Sequence, residues 1–439
     1  MNVSFKLGPL PLFGGKMAKK CTASKLKVFD DDGGGGDGQF PSFLPKEVEK
    51  IKDPFARSLA KRIERLPVQI GYSESCIMSS CVKPLIRQSN ETTPVVLLHC
   101  FDSSCLEWRC TLPLLEEAGL EAWAIDVLGW GFSDLESRPP CDVASKRHHL
   151  YQLWKSYIRR PIILVGPSLG ASVAIDFTVH YPEAVEKLVL INPSVYAEGT
   201  GHLAKLPELV AYAGVSFLKS LPLRLYANML AFNSIPFLTI LDWTNVGRLH
   251  CFLPWWKDST VSFMFSGGYN VISQIKQVQH IDFHAEMIRK DSICINLLCI
   301  FCINSSFNNE SLQMKSFHFI FVLAMNFGYL WLNWDPVEMK GMNRITHLHS
   351  IENLLKVKHK TLLICGEKDQ IVSYKLVVKL HSELSNAIIR EVSDSGHLPH
   401  VDNPKCVAKL IANFAEDDAD VDDKRSFCLA LAQETALRR

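Results

Sequence analysis

The chain has 439 residues, 47% of them hydrophobic, and its 47 basic and 46 acidic side chains leave a net charge of +1. That balance argues against a nucleic-acid partner held by bulk charge, and the length suits one large α/β domain with an excursion, or two domains. The 14 cysteines are scattered, with no two C-x-x-C motifs to pair (Cys299–Cys302 stands by itself) and no clustered histidines, which points to a reducing compartment, free thiols and no metal centre.

Residues 1–39 form a tail in which Lys6, Lys16, Lys19, Lys20, Lys25 and Lys27 precede the first acid, Asp30. This bias fits an organelle transit peptide, with a solvated tail on a cytoplasmic protein as the alternative. The run Gly33–Gly36 reads as a flexible linker. Ordered composition begins near residue 40, and Pro45-Lys46-Glu47 with Asp53-Pro54 opens an amphipathic helix expected to reach about Arg65. Residues 68–87 read as a pair of short strands. Pro94–His99 is an apolar run typical of a buried strand, followed by His99-Cys100-Phe101-Asp102 and a helix over about Leu106–Glu117. Glu121–Ile125 is the next strand, leading into Asp126-Val127-Leu128-Gly129-Trp130-Gly131-Phe132-Ser133, and a helix over Val143–Tyr157 follows.

Pro161–Val165 then reads as a fully buried strand that runs into Gly166-Pro167-Ser168-Leu169-Gly170, and Ala171–Tyr181 continues as a helix. Strand, G-x-S-x-G turn and helix is the layout of a nucleophile elbow. Its serine sits on a strained backbone, and small residues flank it because side chains there would collide with the strand and helix. The helix start behind Ser168 offers backbone N–H groups to a developing negative charge. Strands alternating with helices at this spacing imply a mostly parallel sheet whose working groups gather at the strands' carboxyl ends.

Taken together, His-x-Phe-Asp, Asp-x-x-Gly-x-Gly-x-Ser and Gly-x-Ser-x-Gly resemble the α/β-hydrolase superfamily, most of all its plant members, which are often plastid-targeted, so the resemblance implies a chloroplast protein. The likeness covers about Phe40–Val278 and Val357–Phe414. It implies the α/β-hydrolase fold, a mostly parallel sheet flanked by helices with a helical cap, and a Ser…Asp…His chain order. Asp369, in the turn after the strand Thr361–Cys365, matches the family's acid, with Glu367 and Asp394 as the nearest substitutes. His397, after the strand Ala387–Glu391, matches the base, and His400 stands close enough to be confused with it. The expected catalytic set is therefore Ser168, Asp369 and His397, with the backbone N–H groups of Phe101 and Leu169 as the oxyanion hole and no cofactor or metal. Asp126, His99 and Asp102 are expected to shape their loops; His148, His149, His250 and His280 have no partner pattern and are expected to be structural.

A serine at the elbow, where epoxide- and halide-processing members carry aspartate, implies acyl chemistry. The expected function is hydrolysis of an ester, thioester or related carbonyl substrate, small to medium and hydrophobic, through an acyl-enzyme. The alternatives are a non-hydrolytic small-molecule binder or receptor, and a membrane-associated lipid acyl hydrolase or transferase. His397 and Asp402 also form an H-x-x-x-x-D pattern of acyltransferases, which overlaps the base. Cys100 departs from the family, where glycine is usual, and a Cβ there predicts a misaimed Phe101 N–H and a weakened hole.

The core is thus expected in two parts, 40–200 and 357–415, with a helical cap over 201–278 and a tail over 416–439. In the cap, Leu203–Pro207, Leu218–Leu230 and Phe237–Trp243 are apolar helical segments. Residues 279–356 are atypical, rich in Asn, Cys, Phe and Ile. Val278-Gln279-His280 is echoed by Val357-Lys358-His359 where the recognisable chain resumes, so the stretch reads as a retained intron or gene-model error. A membrane hairpin is the rival, but the run 293–303 is short for a span and 317–334 is interrupted by His318, Asn326 and Asn333.

Overall fold

The computed structural model describes residues 39–70, 76–86, 92–197, 199–233, 235–271, 359–384 and 386–416. The proposed transit peptide, the atypical stretch 279–356 with His280, and the tail beyond residue 416 lie outside the described residues.

The chain forms one eight-stranded sheet in the order β1-β2-β4-β3-β5-β6-β7-β8. The strands are β1 (Ile63–Gln69), β2 (Cys76–Val82), β3 (Val95–Leu97), β4 (Ala122–Ile125), β5 (Ile162–Pro167), β6 (Val185–Ile191), β7 (Lys360–Gly366) and β8 (Ala387–Val392). β1 and β2 pair antiparallel, β2 runs antiparallel to β4, and every later pairing is parallel. Side chains of β5 alternate between two cores: Ile162 and Leu164 pack on one face, Ile163 and Val165 on the other. Both faces are covered, which is why the central strands read as unbroken apolar runs.

Two expected helices in the first half of the core are broken, in each case at a proline. The stretch Pro45–Arg65 is a 3₁₀ turn (Lys46–Lys50), then helix α1 (Pro54–Ala60), and the chain has already entered β1 at Ile63. Asp53 accepts from the N–H groups of Phe55 and Ala56 and so starts α1 at Pro54, a first-turn position that needs no N–H. Leu106–Glu117 divides likewise into a 3₁₀ turn (Cys105–Trp108) and α2 (Leu112–Glu117), because Pro113 cannot sit in a helix interior. The helix α3 (Val143–Leu153) begins at an Asp142 cap and ends in a π turn, Trp154–Ile158.

Helix α4 (Leu169–His180) leaves the elbow. Between β6 and β7 the chain builds a 3₁₀ turn (Gly201–Lys205) and helices α5 (Glu208–Leu218), α6 (Leu221–Ala231), α7 (Phe237–Gly247) and α8 (Trp256–Phe265). The segment expected to run unbroken from Leu218 to Leu230 is interrupted at Ser220, where Pro222 falls in the first turn of α6. Helices α9 (Tyr374–Glu383), α10 (Pro399–Asp402) and α11 (Pro404–Ala415) complete the described chain.

The strand order decides where chemistry can gather. From β3 the chain moves to β4 on one side and then returns to β5 on the other. A crevice therefore opens beyond the carboxyl ends of β3 and β5, and the loop after β3 lies beside the elbow after β5.

Candidate active site

Ser168 occupies φ 49° and ψ −114°, a strained backbone for any residue with a Cβ. The turn closes because its flanks are glycine: a Cβ on Gly166 would fall on the carbonyl of Gly170, and one on Gly170 would lie 2.8 Å from the carbonyl oxygen of His99. Leu169 is the first residue of α4, so its N–H has no acceptor within the helix.

Three of the residues singled out in the sequence stand in contact. His397 Nε2 lies 2.9 Å from Ser168 Oγ, and His397 Nδ1 lies 2.9 Å from Asp369 Oδ2. The other oxygen of Asp369 accepts from the N–H groups of Ile371 (2.7 Å) and Val372 (3.0 Å), which orients the carboxylate. An Nδ1–H donated to Asp369 leaves Nε2 free to take the hydroxyl proton of Ser168. The rival acids are elsewhere: Glu367 is exposed, accepts from Lys368 Nζ and from the N–H of Asp394, and is held below the usual carboxylate range by Lys368. His400 is fully buried and pairs with Glu107 at 3.0 Å, stacked on Trp108.

Sequence reasoning missed Asn192, which follows β6 at φ 39° and is buried. Its Nδ2 donates to the carbonyls of Gly396 (3.0 Å) and His397 (2.8 Å), while its Oδ1 accepts from the N–H of Gly366 (3.1 Å). One amide thus ties the base loop to the end of β7. The available signal was a lone asparagine at the carboxyl end of an apolar strand.

The loop after β3 hangs between two buried carboxylates. Upstream of Phe101, Glu107 accepts from the N–H (3.2 Å) and thiol (2.9 Å) of Cys100. Burial works against the Glu107 charge, but His400, His99 and Cys100 outweigh it and lower the group to about 2; the same burial and the nearby Glu107 charge push the Cys100 thiol well up. Cys100 is absent from the residues with positive φ, whereas Asp102 adopts φ 51°. The positive φ in this loop falls on an aspartate, a residue type that tolerates the left-handed region.

Downstream of Phe101, Asp102 accepts from Arg224, from Trp256 Nε1 at 2.7 Å and from His250 Nε2 at 2.9 Å. Burial opposes the Asp102 charge, and Arg224 and His250 overcome it, holding the carboxyl below its usual value. Burial also disfavours a charged His250, but Cys251 and Asp102 prevail and push it up to about 9. Asp102, His250 and Cys251 come close enough to hold a cation, yet Arg224 already bridges Asp102 Oδ2 and Cys251 Sγ. The donor set fits that guanidinium. Asp126 organises its loop as expected, accepting from Ser80 Oγ and from the N–H groups of Cys105 (2.6 Å) and Phe132 (2.9 Å). His99 accepts from the N–H of Val127 at 3.0 Å, and His149 pairs with Ser79 Oγ.

Above Ser168 lies a cavity of about 630 Å³. Phe101, Leu169 and His397 border it from the sheet side; Leu203, Val215, Leu223, Phe232, Trp243 and Met264 border it from the inserted helices. This is the size and character of a pocket for a small or medium apolar molecule.

Comparison with known proteins follows the same lines. A family model described as the alpha/beta hydrolase fold matches residues 93–221. The chain is 54% identical over 382 residues to the alpha/beta hydrolase domain-containing protein VTE7 of Arabidopsis thaliana, covering 87% of this chain and 91% of that protein. Among solved structures, a bromoperoxidase from Bacillus anthracis (TM-score 0.50, 14% identity) covers 80% of this chain and is itself covered in full. An esterase from Exiguobacterium antarcticum (TM-score 0.50, 13% identity) matches to the same extent. At those identities the structural likeness speaks to the fold alone.

Proposed function

Because the chain belongs to the α/β-hydrolase family, we propose that it is a serine hydrolase cleaving an ester, thioester or related carbonyl substrate through an acyl-enzyme. The observation that carries this reading is the unbroken hydrogen-bonded line from Ser168 Oγ through His397 to Asp369 at the floor of an apolar cavity. Ser168 Oγ attacks the carbonyl carbon as His397 Nε2 takes its proton, and Asp369 stabilises the imidazolium. The N–H groups of Leu169 and Phe101 receive the negative charge on the carbonyl oxygen. Collapse of the tetrahedral intermediate breaks the bond to the leaving group, which takes the proton from His397. Water then attacks the acyl-serine, gives a proton to His397, and releases the acid as Ser168 is reprotonated.

The apolar lining favours a hydrophobic acyl or alkyl group. Covalent labelling by a fluorophosphonate tests the reading: the intact protein is expected to label and the Ser168→Ala variant is not. A folded protein that fails to label, or a Ser168→Ala variant that labels equally, overturns it and leaves a non-hydrolytic binder as the better account.

A further inference from the structure

Helix α6 touches both of the loops on which the proposed chemistry depends. Near its start, Arg224 reaches the core loop after β3: its Nη2 donates to Asp102 Oδ2 and its Nη1 to the Asp102 carbonyl at 3.3 Å. The same guanidinium is anchored within the inserted helices by the carbonyls of Leu218 (2.6 Å) and Gly247 (3.2 Å) and by Cys251 Sγ (3.0 Å). At its far end, the Ala231 carbonyl accepts from the N–H of His397 at 2.6 Å. Just beyond, the N–H of Asn233 donates to Asp402 Oδ2 (3.1 Å), which also holds the N–H of Gly396 (2.6 Å). Between these ends, Leu223, Ala227, Asn228 and Ala231 border the cavity.

Phe101 stands one residue from each of its anchors. Glu107 holds Cys100 on one side, and that contact lies wholly within the core. On the other side, among the described residues, the Asp102 carboxylate is held from the inserted helices, by Arg224, His250 and Trp256. The peptide that carries the Phe101 N–H is fixed at its carbonyl by His99 Nδ1, 2.7 Å from the Cys100 oxygen, and the seating of those helices acts on it from the Asp102 side. Arg224 carries the broadest share of these three, since it grips both the carboxylate and the backbone of Asp102. A planar fork with five donors serves its five acceptors at once, whereas an ammonium has only three donors.

Resting on the serine-hydrolase reading, we propose that Arg224 is a positioning residue for the reaction, acting through Asp102 to aim the Phe101 N–H at the developing oxyanion. A substrate chain lying against α6 then meets the element that also holds the oxyanion loop and the base loop. Occupancy of the cavity and alignment of the catalytic groups become one event.

The test is steady-state turnover of a p-nitrophenyl ester series by the full chain and by Arg224→Met, with Arg224→Lys beside it. Losing the aim of one oxyanion donor is expected to lower kcat by about 30-fold or more. KM should stay within about twofold, and the pH at which activity falls should not move, because Ser168, His397 and Asp369 are untouched. Arg224→Lys should recover only a minor part of the loss. Asp102→Asn, which keeps an acceptor for Trp256, serves where Arg224→Met folds poorly, and it should show the same kcat defect. Active wild type with an equally active Arg224→Met overturns the proposal alone, as does a defect confined to KM or a shifted pH limb. Wild-type protein that turns over no ester overturns the hydrolase reading and the proposal together.

Discussion

Replacing Asn192 by alanine should damage stability and turnover at once. The side chain is 1% exposed and makes three hydrogen bonds, donating to the carbonyls of Gly396 and His397 and accepting from the N–H of Gly366. Alanine removes all of them and strands their backbone partners away from water. At about 1 kcal/mol net for each bond, with the orphaned N–H costing the most, the loss comes to about 3 kcal/mol. For a domain of this size that corresponds to a fall in Tm of about 5–10 °C. Turnover should suffer separately, because the His397 carbonyl loses its tether and a displacement of about 1 Å in the imidazole costs on the order of 10²-fold in rate. Thermal unfolding at a fixed scan rate and ester turnover measure the two effects. Asn192→Asp is the informative control: it retains the acceptor for Gly366 but sets a carboxylate against two carbonyls, so it should be no better than alanine in turnover. An alanine variant with a Tm within about 2 °C of wild type and full kcat would show that the base loop does not depend on this amide.

Two further outcomes follow from the same geometry. Glu107 titrates at about 2 in the folded protein against an ordinary value of 4.5, so its contribution is present above pH 4.5 and disappears as pH falls through about 2. Wild type should exceed Glu107→Gln in stability by ~3 kcal/mol above pH 4.5, with the gap closing in acid; urea denaturation across pH checks this, and a gap that does not change with pH contradicts it. Removing residues 279–356, so that Val278 joins Val357, should leave fluorophosphonate labelling within about twofold of the full chain, because the strands and cavity-bordering residues among the described residues lie outside that stretch. An insoluble or unlabelled deletion would mean that the stretch contributes to the fold, and against the retained-intron reading; transcripts lacking it would support that reading.

The strands and the elbow were legible because each is a local pattern. An apolar run such as Ile162–Val165 must be buried on both faces, and Gly166 and Gly170 announce a turn where side chains cannot pass. Asp369 and His397 also lie in turns just after apolar strands, but it is the resemblance to the family, with its Ser…Asp…His order, that singles them out. Helix limits were less legible: Pro54 and Pro113 divide what periodicity alone joined. The first strand was masked for a similar reason, since Ile63–Arg65 continues an amphipathic pattern while already paired with β2.

What the sequence determined by itself was therefore the class of sheet and the strained serine turn, since each depends on neighbours within a few residues, while the polar groups at the strand ends are picked out by the family's chain order. Tertiary structure alone decided how those groups are held. Asn192 meets the His397 carbonyl across 205 positions, His400 meets Glu107 across 293, and Arg224 meets Asp102 across 122. No periodicity encodes such pairings. They exist because the strand order brings the ends of β3, β5, β6, β7 and β8 to one edge of the sheet and returns α6 across them, where buried charges and amides must find partners away from water.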